Sequence, residues 1–301
     1  MATKPRLVFF GNERLATGVT TEAPVLRGLI AAGYDIAAVV SNYRPAASSR
    51  RARPLEIEHV AKEHEIPLLL PARPADILEQ LSSYEAPAAV LVAYGRIVPP
   101  AMLELFPAGI INIHPSLLPA GRGSTPIETA ILGGAAQTGV SLMKLARAMD
   151  AGPVYAQVTH QLSGRESKQK LATTLLERGR DLLLEHLPAI IDGSLAPSPQ
   201  DETKATYTSL IQKSDGRIDL SKSAAQIERE IRAYLSWPGS RTTVEGSDVI
   251  ITAAHVEAPG EVALLAVDTA DGRLAIDQLK PAGKREMSAA DFLAGRRSRS
   301  S

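Results

Sequence analysis

An alternation running through the first two hundred residues constrains this chain most: short apolar runs that stop at Gly, Pro or a polar turn, each followed by helical periodicity. Leu7-Val8-Phe9-Phe10 ends at Gly11, and a helix-like stretch from Ala23 to Ala32, stopped at Gly33, leads into Ile36 to Val40. Leu68 to Leu70, Ala88 to Ala93 and Ile110 to Ile113 repeat the pattern. Runs this short and this uniformly apolar have no solvent face, so they read as strands buried on both sides. Between them Pro54 to Glu65, with proline in its first turn, Ala75 to Leu81 and Pro100 to Leu105 read as helices. Strand and helix in turn predict an α/β domain whose mostly parallel sheet is covered by helices. Gln137 to Leu145 and Val154 to Leu162 read as later strands, and Lys168 to Ile191 as a long amphipathic helix.

The texture changes at Asp192-Gly193-Ser194, where periodicity fades and prolines enter, the mark of a linker. Beyond it Ala224 to Leu235 is a helix with apolar Ile227, Ile231 and Leu235 four residues apart. Short alternating segments follow at Arg241 to Val244, Asp248 to Val256, Val262 to Val267 and Arg273 to Leu279, which predict a small β-barrel or sandwich. The expected organisation is a first domain over residues 1–191, a linker over 192–206, a smaller β domain over 207–295 and a disordered Arg/Ser-rich tail over 296–301. A length of 301 residues suits two cores.

Composition removes several functional classes. Without cysteine there is no disulfide framework, thiolate metal site or cysteine nucleophile. Met1 to Lys4 carries no apolar signal core, and no apolar run approaches the ~20 residues that cross a bilayer, so a cytoplasmic chain without membrane contact is expected. With 33 basic and 33 acidic residues the formal charge is zero, and no global field draws nucleic acid. Local patches remain: Arg44, Arg50, Arg51 and Arg53 lie in the acid-free stretch Asn42 to Pro54, and Lys280, Lys284 and Arg285 form a smaller cluster. The six histidines have no metal-ligand spacing, so no metal is expected.

The chemistry concentrates in Asn112-Ile113-His114-Pro115-Ser116-Leu117-Leu118-Pro119. Asn112 and His114, two apart on a strand, share one face. They sit where an apolar strand runs into a proline loop, the carboxyl edge at which open α/β sheets bind ligands. An amide and a titratable ring aimed at one point suit a developing oxyanion, although a loop cap and a core histidine would read the same way. Asp150, in Met149-Asp150-Ala151-Gly152-Pro153, occupies another loop between strands, where Asx-turn residues are also common. Tyr94-Gly95-Arg96-Ile97-Val98-Pro99 leaves a buried strand and turns sharply, which suits backbone held close to a ligand. Gly121-Arg122-Gly123-Ser124 could hold an anion.

In these contexts Asn112, His114 and Asp150 resemble the catalytic trio of the folate-dependent formyltransferases. Ala93 to Pro99 resembles the loop that lines their pterin pocket, and Ser116-Leu117-Leu118-Pro119 and Gln137-Thr138-Gly139-Val140 also match. The resemblance implies a Rossmann-like formyltransferase fold and 10-formyltetrahydrofolate as formyl donor, contacted by Tyr94, Gly95, Arg96, Ile97, Val98, Pro99 and Ser116 to Pro119. Ala205-Thr206-Tyr207, Gly216 to Ser221, Ile231 to Tyr234, Trp237-Pro238-Gly239 and Leu279 to Met287 resemble the OB-like C-terminal domain of methionyl-tRNA formyltransferases. A monomer acting on the amine of initiator methionyl-tRNA is therefore expected. The chain departs from the family pattern at Asn12-Glu13 after the first strand, at Ala120-Gly121-Arg122-Gly123, and within Asn42 to Pro54. Those loops are expected to face the acceptor, which keeps a sugar-nucleotide formyltransferase open as an alternative. A folate- or RNA-binding protein on a retired scaffold is the non-enzymatic alternative.

Overall fold

The computed structural model describes residues 4–12, 17–42 and 55–297. Its compact units interleave along the chain. One comprises Met1–Pro126, Gln137–Gln161 and Leu171–Ser209; the other comprises Ile127–Ala136, Leu162–Lys170 and Leu210–Ser301.

The first unit is built on β1 (Arg6–Gly11), α1 (Pro24–Ala31), β2 (Asp35–Val40), α2 (Glu56–Glu63), β3 (Leu68–Leu69), α3 (Leu78–Ser82), β4 (Ala88–Val92), α4 (Pro100–Leu103) and β5 (Gly109–His114). After α5 (Pro126–Leu132) come β6 (Gln137–Lys144), β7 (Val154–Gln161) and α6 (Lys168–Ile191). The sheet runs β3-β2-β1-β4-β5-β6-β7. Its first five strands pair in parallel, and β6 and β7 add antiparallel. Every residue of β4 and β5 is buried; β4 is apolar throughout, and the two polar side chains of β5, Asn112 and His114, are buried at its carboxyl end. The edge strand β7 alternates half-buried and exposed positions from Ala156 onward, because one of its faces meets water. The chain goes from β1 out to β2 and β3, then returns to place β4 on the other side of β1. The β1–β4 boundary is thus the topological switch point, and Gly11 and Val92 end at its carboxyl edge.

The segment expected as a linker does not swing free. Ser198 exchanges two backbone hydrogen bonds with Val154, and residues 206–209 run beside residues 119–125. Strand pairing of this kind is not visible in local composition, since each partner lies tens of residues away.

The second unit contains α7 (Ala224–Ala233), β8 (Ser240–Val244), β9 (Ser247–Val256), β10 (Ala266–Asp268), β11 (Arg273–Pro281), β12 (Met287–Ser288) and α8 (Ala289–Arg297). Its antiparallel sheet has the order β10-β11-β9-β8, with β12 on β11. This is a curled half-barrel; among the described strands no ladder joins β8 to β10. Ile227 and Ile231 of α7 and Phe292 of α8 pack with Val249, Ile251, Leu274, Ile276 and Leu279, so helices complete the core that a closed barrel would fill with strands. The strand expected from Val262 shortens to Ala266–Asp268, and Val262 and Leu264 stand exposed. Helix α8 runs to Arg297, two residues into the expected tail, because Arg296 reaches the Ser247 hydroxyl at 2.8 Å and lies over the Phe292 ring.

Short α5 also belongs to this unit. Arg229 donates to the Leu132 carbonyl, and the buried Lys168 ammonium lies 3.9 Å from Glu128 and donates to the Trp237 carbonyl. Burial holds Lys168 below the usual lysine range.

On the exposed side of β9, His255 Nδ1 faces Asp277 at 2.9 Å and Nε2 faces Glu261 at 2.8 Å. These carboxylates, Asp277 foremost, raise its pKa. A raised folded pKa stabilises fully below the unfolded value and is lost as pH rises through the folded one. The stability gap between the wild type and His255→Ala is therefore expected to be widest below about pH 6 and to close in alkaline buffer. With His255 nearly half exposed, the gap stays at or under about 1 kcal/mol. Melting curves across pH check it; a gap that does not change with pH rejects this role for the cluster.

Candidate active site

Strand β5 delivers Asn112 and His114 to the carboxyl edge on one face. They are 6% and 5% exposed, opposite Met143 and Ser141 of β6. Among the described residues the Asn112 amide has no hydrogen-bond partner. A nearly buried amide left open in this way is a donor held ready for a ligand.

His114 is constrained at both nitrogens. Nε2 lies 2.9 Å from the Gly121 carbonyl, an acceptor only, so Nε2 carries a proton. Nδ1 faces Asp150 Oδ1 at 3.7 Å, longer than a hydrogen bond. With Nε2 protonated, Nδ1 and the carboxylate are two acceptors face to face unless a proton lies between them. Asp150 Oδ2 accepts from the Gly123 amide at 2.8 Å, which orients the carboxylate. The trio expected from the sequence thus converges, with one difference: the His114 Nε2–H is already engaged by Gly121. It can reach a ligand oxygen only by leaving or sharing that carbonyl.

Backbone geometry places Asp150. Its φ is +49°, a left-handed conformation that side chains other than Gly adopt at a cost of roughly 1 kcal/mol or more. Two residues on, a Cβ at Gly152 would lie 1.8 Å from the Lys144 carbonyl oxygen, so only glycine fits.

The loop after β4 is held from below. Tyr94 is 1% exposed, its ring edge-on to Phe10 at 5.4 Å, and burial raises its pKa. Asn42 donates to the Tyr94 carbonyl at 2.9 Å, and Arg96 donates to the carbonyls of Pro71 and Ala72. Gly95, with φ +71°, and Ile97, 91% exposed, present the outer surface of the loop, with Val98 and Pro99 half-buried behind. Asn42 Oδ1 and Ser41 Oγ, just after β2, are buried and have no hydrogen-bond partner among the described residues. The Ser116 hydroxyl donates to the Ala120 carbonyl and Leu118 is buried, leaving half-buried Leu117 and Pro119 as the accessible part of that segment.

Arg122 corrects an expectation. In Gly121-Arg122-Gly123-Ser124 it reads as able to hold an anion, and the structure buries it completely, at 0% exposure. Its guanidinium bonds both oxygens of Glu202 at 2.8 and 2.7 Å, Gln200 Oε1 twice, and the Tyr207 hydroxyl. The anion it holds is internal, and Arg122 in turn keeps the Glu202 carboxyl below the usual range. Gln200 and Glu202 carry no signal in Pro199-Gln200-Asp201-Glu202 that sequence reasoning could use. Lys280, Lys284 and Arg285 are exposed, whereas Arg44, Arg50, Arg51 and Arg53 lie outside the described residues.

Residues 16–187 match the formyl transferase family, and residues 210–297 match the formyl transferase C-terminal domain. The methionyl-tRNA formyltransferase of Chloroflexus aurantiacus is 39% identical over 305 residues, spanning 96% of each chain. Among solved structures, an N-formyltransferase from Helicobacter canadensis in complex with folinic acid and dTDP-3-aminofucose shares the fold, with TM-score 0.68 and 19% identity over 91% of this chain and 99% of that one. HypX from Aquifex aeolicus in complex with tetrahydrofolic acid superposes with TM-score 0.67 and 18% identity over 97% of this chain, which spans about half (47%) of that protein.

Proposed function

The chain belongs to the formyl transferase family, and from that premise we propose that it moves the formyl group of 10-formyltetrahydrofolate to the amine of initiator methionyl-tRNA. The observation that carries the chemistry is the convergence of the open Asn112 amide with the His114–Asp150 pair, one strand from the switch point. Relatives of nearly the same length that bear the methionyl-tRNA formyltransferase name support the acceptor.

The neutral amine attacks the formyl carbon, and negative charge gathers on the formyl oxygen. Asn112 donates to that oxygen, and the His114 Nε2–H joins it by releasing the Gly121 carbonyl. The attacking nitrogen must lose one proton and the folate N10 must gain one. Asp150 takes the first, directly or through water, and the His114–Asp150 pair returns it to N10 as the C–N10 bond breaks. The pterin is read as lying along Tyr94 to Pro99 and Ser116 to Pro119. Arg44, Arg50, Arg51 and Arg53, with Lys280, Lys284 and Arg285, are assigned to RNA phosphates, which position the acceptor without reading bases. This reading implies a monomer acting in the cytoplasm; among the described residues no helix is long and apolar enough to cross a membrane.

The test is to offer 10-formyltetrahydrofolate with either methionyl-tRNA or amino-sugar nucleotides and follow which is formylated. Formyl-methionyl-tRNA is expected; a formylated sugar nucleotide alone transfers the chain to the other branch. In the same assay Arg50→Ala with Arg51→Ala should raise KM for methionyl-tRNA and leave folate affinity unchanged. Removing an arginine that neutralises a phosphate should flatten the log–log salt dependence of tRNA binding by roughly 0.7–0.9 per phosphate.

A further inference from the structure

We propose that Gln200 is a positioning residue that aims Asp150 at His114. The inference rests on the catalytic reading of Asp150 given above. Gln200 Nε2 donates to the Asp150 carbonyl at 2.8 Å and to the Gly152 carbonyl at 2.6 Å, bracketing the catalytic loop from both sides of Ala151. Its Oε1 accepts from Arg122 Nε and Nη2 at 3.1 and 2.9 Å. The amide cannot be turned over. The flipped form would set its NH2 against a guanidinium and its oxygen against two carbonyls. Arg122 itself is immobilised by bidentate pairing with Glu202 and by complete burial.

The loop needs such a clamp. Asp150 sits at φ +49°, a conformation a free loop would leave, and the 3.7 Å spacing to His114 Nδ1 has no direct hydrogen bond to preserve it. The Gly123 amide fixes one carboxylate oxygen, and Gln200 fixes the backbone behind it. The segment bearing Gln200 is itself strapped down. Thr206 N donates to the Pro119 carbonyl, its hydroxyl oxygen accepts from Gly121 N, and Thr208 N donates to the Arg122 carbonyl. The stretch after residue 192 is thereby part of the catalytic apparatus, acting through the backbone of residues 150–152.

Gln200→Leu removes the clamp. Gln200→Glu keeps the length and the acceptor that Arg122 uses but sets a carboxylate oxygen against the two carbonyls. In the full chain both should lower kcat roughly ten- to a hundred-fold, the cost of an ångström-scale misplacement, with KM for 10-formyltetrahydrofolate within about twofold of wild type. Each is also combined with Asp150→Asn. If Gln200 acts only through Asp150, the double variants lose no more than Asp150→Asn alone. Should Gln200→Leu fail to fold, Gln200→Glu carries the same cycle. Wild-type kcat in folded Gln200 variants, or losses that multiply in the double variants, overturns the proposal. Wild-type turnover of Asp150→Asn instead overturns the catalytic reading beneath it, so the two failures are told apart.

Discussion

Asp150→Asn is expected to lower turnover by roughly 10²–10⁴-fold, the range for a lost proton-transfer group, while melting temperature and folate affinity stay near wild type. The exchange is nearly isosteric, and the reason lies in the two contacts of the carboxylate. Asn Oδ1 can replace Asp150 Oδ2 as acceptor for the Gly123 amide, so the loop keeps its anchor. The new amide nitrogen then faces His114 Nδ1 across the former 3.7 Å gap, where it can neither accept nor carry away a proton. The imidazole keeps the Nε2–H that already serves Gly121 and loses its carboxylate neighbour. No proton can then be held between the two residues, so the amine proton has no route to the leaving nitrogen. Asn112→Ala should cost roughly 10²–10³, as one oxyanion donor usually does, without disturbing the pair. Single-turnover rates on variants with wild-type melting curves decide the matter; undiminished turnover in Asp150→Asn would falsify the relay.

The parts of this site legible in the sequence are those governed by short-range periodicity. Period-two spacing put Asn112 and His114 on one face, and the stop of an apolar run at Pro115 put them at a strand end. Short apolar runs at Ala88 to Ala93 and Ile110 to Ile113, the second broken only by Asn112, announced strands buried on both sides, since a half-exposed strand would alternate as β7 does. Helix α5 escaped because Pro126 to Leu132 spans only two turns and is followed by two glycines. Arg122 and Gln200 escaped for a different reason. Their partners are about fifty and eighty residues distant, and whether an arginine between glycines is solvated or sealed depends on where the chain returns. No local pattern encodes that return. The same holds for Gly152, whose necessity comes from the Lys144 carbonyl and not from the turn in which it sits.

Gly152→Ala should therefore impair catalysis almost as severely as removing a reacting group. The added Cβ would lie 1.8 Å from the Lys144 carbonyl oxygen and 3.0 Å from the Met143 methyl, so one side of the contact must move. Lys144 ends β6, paired with Ile111 of the buried central strand β5, and its amide donates to the Pro153 carbonyl. Moving it would break sheet hydrogen bonds beside the site. The loop of residues 150–153 is held by fewer bonds and is the part that yields. Relieving the clash to an ordinary separation requires a shift on the order of an ångström, and Asp150 is two residues away on the same short loop. Misplacement on that scale costs roughly 10²-fold in rate, and the broken Gln200 and Pro153 bonds add to it. Folate affinity should change little, because the Tyr94 to Pro99 loop lies on another strand end. Turnover, folate binding and melting temperature measured together separate the outcomes. A fall in kcat of at least roughly tenfold, with folate affinity kept, follows if the loop gives way. A protein that loses folate affinity and melting temperature together would mean that β6 moved, and that this loop is stiffer than the strand it packs against.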